Sequence, residues 1–232
     1  MIEKVKKISL FIGLFLLFLF SELFYLVPLS LFNINYDTLS YTTQTLLSML
    51  ANLILIIIIS LIYKKYLKEK IKDYFKKENF KKYFDLGSKW WFLGLIGMCV
   101  FNVLIATFSP VKEANNEVLV QEMLKISPIL SFISATFLAP FLEEMLFRKS
   151  LSDIFKNKNL MVFMSGLVFG LLHVVFSLET TWDLLYAIPY GLLGASFAMS
   201  LKETDNVLVP ITFHMIHNGI LTLVSILPVV LK

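Results

Sequence analysis

The chain consists of long apolar stretches separated by short polar ones. A membrane-spanning helix needs roughly 20 mainly apolar residues. Seven stretches approach that length, and they cover about residues 8–27, 46–63, 90–108, 128–147, 160–177, 184–200 and 207–230. Pro228 can break the last stretch and Pro189 can kink the sixth, so the expected number is six to eight. The pattern predicts an all-α fold, a polytopic membrane helix bundle of about seven transmembrane helices that forms one integral-membrane domain over residues 1–232.

The composition indicates a membrane protein rather than a soluble one. Hydrophobic residues make up 57% of the chain and charged residues 16%, with a mean hydropathy of +0.76. A soluble domain carries about 25% charged residues, so a cytosolic globular enzyme and a disordered protein are both excluded. Cys99 is the one cysteine, which excludes a disulfide framework and a cysteine-rich metal centre.

The basic residues fall mainly on one side of the predicted membrane. With a cytoplasmic N-terminus, that side holds all of the 21 Lys and Arg residues except Lys112, Lys125 and Lys232. This asymmetry follows the positive-inside rule and predicts that the N-terminus is cytoplasmic. The basic loop 64–89 alternates Lys with Tyr, Phe and Ile. It is either an amphipathic helix on the anionic inner leaflet or a solvated charged loop, and nothing in it resembles a nucleic-acid module.

Few ionisable side chains interrupt the last four apolar stretches, and they form a small set. These residues and their amide neighbour are Glu143, Glu144, His173, His214, His217 and Asn218. A charged group at the centre of a membrane helix costs at least about 2.5–3.5 kcal/mol. All three histidines of the chain lie in such stretches, whereas solvated histidines would lie in loops. The set therefore predicts a functional site inside the membrane.

Helix geometry places these residues at one level. Glu143 lies 15 residues before Lys158 and His173 lies 15 residues after it. With a turn at Lys158, both residues lie about 22 Å along antiparallel helices. Counted from the turn before the last helix, His214 and Asn218 lie about 17 and 22 Å along it. We expect them to share a water pocket that opens towards the cytoplasm.

The two adjacent glutamates point in different directions. Residues next to each other on a helix are about 100° apart, so one glutamate can face a cavity while the other turns away. Glu144 and Arg148 are four residues apart and can pair on the same helix. Pro140, just upstream, removes a backbone hydrogen bond and can shape the entrance. Glu143 and Glu144 both remain candidate bases at this point.

The residue types suit hydrolysis by an activated water. A glutamate can accept the proton of the attacking water, and a histidine can relay it. A second histidine and an asparagine can donate hydrogen bonds to the oxyanion. Glu143, His173 and His214 could instead hold a zinc ion, so a metal-free and a zinc-dependent mechanism both remain open. The chain lacks the HExxH and G-x-S-x-G motifs of other hydrolases.

Three motifs with a spacing of four residues follow one another on successive apolar stretches. They are Glu143-Glu144-x-x-x-Arg148, Phe169-x-x-x-His173 and His214-x-x-x-Asn218. In this order they resemble the CPBP intramembrane protease family, also called the Abi or CAAX protease family, whose eukaryotic members are type II CAAX prenyl endopeptidases. The resemblance covers about residues 128–225.

The resemblance implies a role for each catalytic candidate. Glu143 would be the base that activates water, with His173 assisting it. His214 and Asn218 would stabilise the oxyanion or help to hold a metal. The implied activity is that of an intramembrane endopeptidase with a divalent metal such as zinc, or with no cofactor.

Four further residues have supporting or unassigned roles. The resemblance implies that Glu144 and Arg148 are mainly structural. Phe169 shares a helix face with His173 and is a supporting residue. His217 is additional to the pattern and is interpreted as a packed imidazole, with a second hydrogen-bond donor as the alternative.

The implied substrate is a membrane-associated peptide or protein, cleaved near the cytoplasmic side. In bacteria the resemblance points to peptide or bacteriocin maturation, or to self-immunity. Two other functions stay open on the sequence alone. One is a non-catalytic immunity or regulatory protein, and the other is a proton-coupled transporter that uses the Glu and His residues as a relay.

Overall fold

The computed structural model describes residues 2–230, so the predicted outer cation Lys232 lies outside the described residues. Within this range the chain is helical and contains no strand. The main helices are α1 (Ile2–Leu19), α2 (Leu23–Leu31), α3 (Tyr41–Ile62), α4 (Lys64–Tyr74), α5 (Lys77–Phe108), α6 (Asn115–Ile126), α7 (Pro128–Ile154), α8 (Lys158–Val175), α9 (Ala187–Thr204) and α10 (Leu208–Val230). Short 3₁₀ turns at Tyr36–Thr38 and Thr181–Tyr186 precede α3 and α9.

Six of these helices are long and apolar enough to cross a membrane, namely α3, α5, α7, α8, α10, and α9 with the turn before it. Helices α1 and α2 meet at a bend of 54° and would make a seventh span together. The outward surfaces carry large exposed apolar side chains such as Ile57, Ile96, Phe163 and Val224, which a bilayer would cover. The predicted all-α polytopic membrane bundle is confirmed.

The lysines of the predicted basic loop lie in α4 and α5, except for Lys76, which directly precedes α5. Leu67 and Tyr74 are buried against the bundle. The ammonium of Lys70 lies 2.8 Å from the carboxylate of Asp205, and the side-chain amide of Asn206 donates to the carbonyl of Lys70 over 3.0 Å. The segment is thus a docked amphipathic helix, and the alternative of a solvated loop is wrong. We call this end of the bundle, formed by α4 and the α9–α10 turn, the basic end.

Helices α8 and α9 pack with their backbones in close approach. A Cβ atom at Gly170 would lie 2.3 Å from the carbonyl oxygen of Ala187, and one at Gly166 would lie 2.7 Å from that of Gly191. Only glycine fits such contacts without a backbone shift. This packing holds the end of α8 that carries His173 against the start of α9.

Helix α7 departs from α-helical geometry on both sides of its glutamates. Its middle segment, Ala139–Glu144, is α-helical, but Ser134–Leu138 and Met145–Ser150 are π-helical. Each π turn holds one residue more than an α turn, and such turns are frequent at functional sites.

The first π segment leaves a backbone acceptor for the last helix. The N–H of Ala139 bonds to the carbonyl of Ser134, five residues earlier. In the same register the carbonyl of Ala135 would take the N–H of residue 140, but Pro140 has none. Instead, Nδ2 of Asn218 on α10 donates to that carbonyl over 2.9 Å. The loosened backbone expected at Pro140 therefore anchors α10 to α7.

Candidate active site

Helices α7, α8 and α10 bring the predicted residues around one central cavity of about 200 Å³. Its lining includes Glu143, His173, His214, His217 and Asn218. Glu144 and Arg148 lie behind this lining and are fully buried. The residues that the sequence singles out on three separate helices are thus gathered at one place.

A buried ion pair supports the cavity. Nε of Arg148 lies 3.0 Å from Oε2 of Glu144, and both side chains are 0% exposed. Nη2 of Arg148 donates to the carbonyl of Gly194 over 3.1 Å, and the guanidinium lies 4.3 Å from the centre of the Phe169 ring. Phe169 therefore contacts the cation as well as sharing a helix face with His173. The pair positions α7 against α8 and α9.

The imidazole of His214 is held between the two glutamates. Its Nδ1 lies 2.8 Å from Oε1 of Glu144, while its Nε2 lies 3.7 Å from Oε2 of Glu143. A carboxylate paired with arginine accepts hydrogen bonds, so Nδ1 carries the proton. The ring also stacks on Phe197 at 4.9 Å between ring centres. His214 consequently presents Nε2 towards Glu143.

His173 on α8, like His214, makes its protein contact through Nδ1. Its Nδ1 lies 2.8 Å from the carbonyl oxygen of Phe169. Because a carbonyl only accepts, Nδ1 is protonated and Nε2 has a free lone pair. The ring stacks on Tyr190 with 4.7 Å between ring centres. A backbone bond and an aromatic neighbour therefore fix both the tautomer and the ring plane.

The two glutamates differ as their angular offset on the helix predicts. Glu144 faces Arg148 and His214, whereas Glu143 lines the central cavity with a side chain that is 15% exposed. The Glu144 side chain is 0% exposed and does not line that cavity. A general base must lie within reach of water. Glu143 is therefore the better placed of the two candidate bases.

The predicted zinc ligands Glu143, His173 and His214 line the same cavity. Within residues 2–230, no three His, Cys, Asp or Glu side chains are grouped closely enough to hold a metal ion. The zinc-dependent mechanism stays a prediction.

The structure describes what surrounds the central cavity along the bundle. Buried apolar side chains of α7 and α10 lie between the site and the basic end, among them Leu146, Phe147, Ile211 and Phe213. On the opposite side, α6 and the later residues of α10 form part of the cavity wall. The opening of the pocket towards the cytoplasm stays a prediction.

Two further cavities adjoin the central one. A cavity of about 440 Å³ between α5, α6 and α9 also includes His217 in its lining. A third, of about 360 Å³, lies beside the α1–α2 bend and has Phe18, Phe176, Glu143 and His173 in its wall. Glu143 and His173 therefore stand between an interior cavity and a lateral one.

The sequence did not indicate several residues that complete the site. Asn116 and Glu117 line the cavity from α6, a segment that lies between two of the predicted apolar stretches. Tyr190 stacks on His173, and Trp91 donates to His217. An aromatic residue in an apolar helix has no signal that separates a lipid contact from a site contact.

Comparisons with known proteins match the segment of the chain that carries the three motifs. Residues 125–220 match the family model described as Type II CAAX prenyl endopeptidase Rce1-like. A protein of Bacillus subtilis (strain 168) named "Putative membrane peptidase YdiL" is 26% identical over 121 residues, which cover 51% of this chain and 46% of that protein. The chain thus aligns with about half the length of this curated relative. No solved structure matches significantly. The predicted resemblance to the CPBP, or CAAX protease, family is therefore confirmed over residues 125–220, which hold all three motifs.

Proposed function

We propose that this multi-pass membrane protein is an intramembrane endopeptidase in which Glu143 activates a water molecule. The observation that carries the proposal is the partly exposed Glu143 side chain, which lines one cavity together with His173 and His214. The family resemblance over residues 125–220 supports the same reaction class.

The first step of the proposed reaction is the attack of water on a peptide carbonyl. Glu143 accepts one proton from the water as the water oxygen bonds to the carbonyl carbon. His173, whose Nε2 is free, can accept a hydrogen bond from the second O–H and so orient the water. His214 is held by Glu144 through Nδ1, and its Nε2 lies 3.7 Å from the Glu143 carboxylate. It completes the polar wall of the cavity.

The second step breaks the C–N bond. The carbonyl oxygen carries negative charge in the tetrahedral intermediate, and Asn218 keeps one N–H for it after the other bonds to Ala135. The proton held by Glu143 passes to the amide nitrogen, the C–N bond breaks, and a carboxylic acid and an amine leave. No step requires a group that is absent from the described residues.

The cavities support a membrane-associated peptide or protein as the substrate. An apolar segment would lie in the lateral cavity, where Phe18 and Phe176 form part of the wall, and a polar continuation would lie in the central cavity. Glu143 and His173 border both spaces, so the scissile bond would sit between them. Small membrane-active peptides, including precursors of bacteriocins, are the substrates that we propose to test first.

The proposal can be tested with purified protein in liposomes. The probes are internally quenched peptides that join an apolar segment of about 18 residues to a polar tail. We expect the wild type to cleave at least one of them, and Glu143→Gln to lower kcat by a factor of about 10²–10⁴ or more. Glu122→Gln removes an exposed glutamate of α6 and serves as the matched control with unchanged kcat.

Three outcomes would contradict the proposal. Cleavage by Glu143→Gln at the wild-type rate would exclude Glu143 as the base. Absence of cleavage, with biological activity retained by Glu143→Gln, would indicate a binding protein. Absence of cleavage together with peptide-dependent proton flux would indicate a transporter. Elemental analysis of the active protein, with chelation and zinc restoration, tests the zinc-dependent alternative.

A further inference from the structure

The three histidines of the site all leave Nε2 for the cavity, but the proton sits on different ring nitrogens. The Nδ1–H of His173 donates to the carbonyl of Phe169, and the Nδ1–H of His214 donates to the carboxylate of Glu144. In their neutral forms both rings therefore offer a lone pair at Nε2 and no N–H. In this form, the two imidazoles can accept hydrogen bonds from water at Nε2.

His217 has the opposite tautomer. Nε1 of Trp91 lies 3.3 Å from Nδ1 of His217, and an indole N–H can only donate. Nδ1 must therefore hold a lone pair, and the proton of the neutral ring is on Nε2. A protonated ring would place two N–H groups against each other, so the contact also favours the neutral form.

The Nε2–H of His217 has cavity space in front of it. His217 is 4% exposed, and in residues 2–230 Trp91 is the one protein group that hydrogen-bonds to its ring. The residue lines both the central cavity and the neighbouring cavity of about 440 Å³. Nε2 itself is not fully buried, so its N–H can donate to a molecule bound in the cavity.

We infer that His217 donates the Nε2–H hydrogen bond to the substrate carbonyl oxygen, and that Trp91 is the positioning residue that fixes its tautomer. The inference rests on the proposed endopeptidase function. It adds a residue outside the three motifs to the reaction and replaces the interpretation of His217 as a packed imidazole. Two donors, His217 and the second N–H of Asn218, would then face the oxyanion from one helix.

Two substitutions at His217 separate donation from packing. In His217→Asn, the side-chain oxygen can still accept from Trp91, but no N–H reaches the position of Nε2. In His217→Gln, the longer amide can place an N–H near that position. With the cleaved peptide probe we expect His217→Asn to lower kcat about 10²–10³-fold with little change in KM, and His217→Gln to retain most of the activity.

The role of Trp91 has a readout that is independent of cleavage. Because the chain has three histidines, ¹⁵N-histidine labelling resolves each ring, and His217→Gln assigns one of them. We expect His217 to show a bare Nδ1 and a protonated Nε2 in the wild type, and a mixture of tautomers in Trp91→Phe, with a lower kcat. Trp90→Phe is the matched control, because Nε1 of Trp90 bonds to no described residue.

The results overturn the inference in distinguishable ways. If the wild type cleaves the probe and His217→Asn cleaves it equally fast, the donor role fails while the endopeptidase function stands. A protonated Nδ1 on His217 in the wild type would refute the tautomer directly. If the wild type cleaves no probe, the proposed function fails and this inference fails with it.

Discussion

Nδ1 of His214 and Oε1 of Glu144 lie 2.8 Å apart, and this contact joins a histidine of the last helix to the ion pair inside α7. The carboxylate of Glu144 thus has two partners, His214 and Arg148. Each of its oxygens has a partner at 3.0 Å or less, whereas the Glu143 carboxylate lies 3.7 Å from Nε2 of His214 and lines the cavity. The division explains why adjacent, chemically identical residues can have different roles.

Breaking the buried ion pair should destabilise the protein strongly. Arg148→Met leaves the Glu144 carboxylate buried with His214 as its one described partner, and such a loss costs about 3–5 kcal/mol. We expect this reduction in the free energy of unfolding, measured by denaturant titration in mixed micelles. The double variant Arg148→Met with Glu144→Met should recover a large part of it. A single variant as stable as the wild type would contradict the prediction.

The contact between Asn218 and α7 should be coupled to Pro140. Asn218→Ala leaves the Ala135 carbonyl without its side-chain donor, which costs about 1–3 kcal/mol for a buried acceptor. Pro140→Ala supplies a backbone N–H in the register that Ala135 needs. In a double-mutant cycle we therefore expect a smaller penalty for Asn218→Ala in the Pro140→Ala background, with a coupling energy of about 1 kcal/mol. Additive effects would argue against this account of the π segment.

The close approach of α8 and α9 predicts a clear difference between two glycines. Gly170→Ala would place Cβ 2.3 Å from a backbone oxygen of α9, which forces the helices apart and moves His173. We expect a loss of about 1–3 kcal/mol in unfolding free energy and a lower kcat. Gly13→Ala, where a Cβ meets nothing within 4 Å, should be neutral in both assays. Equal behaviour of the two variants would show that α8 and α9 can separate without cost.

Glu117 on α6 should make stability depend on pH. Burial raises the pKa of its carboxyl above the ordinary 4.5, and Glu113 adds to the increase, while Gln121 opposes it. The folded state therefore binds the proton more tightly, and this stability is present below pH 4.5 and lost as pH rises through the raised pKa. Glu117→Gln should remove that loss of stability, so we expect the variant to have a higher Tm than the wild type at neutral pH. Glu122→Gln, at an exposed position of the same helix, should follow the wild-type curve.

The sequence predicts the fold class and the residues that form the site better than it predicts the contacts that surround those residues. Hydropathy indicates the spans because apolar length is a local property of the chain. The i,i+4 motifs indicate Glu143, His173 and His214 because helix geometry relates spacing to direction. These inferences need no knowledge of which helices are neighbours.

The remaining features depend on contacts between distant parts of the chain. The tautomer of His217 is set by Trp91, 126 residues away, and nothing in the local pattern links them. The lining of the cavity includes Asn116 and Glu117 of α6, a polar helix whose composition gives no sign that these two residues face inwards. The orientation in the membrane and the role of zinc stay predictions.

The π-helical segment Ser134–Leu138 sets the rotational register of the two glutamates that follow it. It holds one residue more than an α-helical turn. If the same residues were wound as a regular α-helix, everything downstream, beginning with Glu143, would rotate by about 100° relative to the first turns of the helix. The π segment therefore fixes which of the two adjacent glutamates meets the cavity.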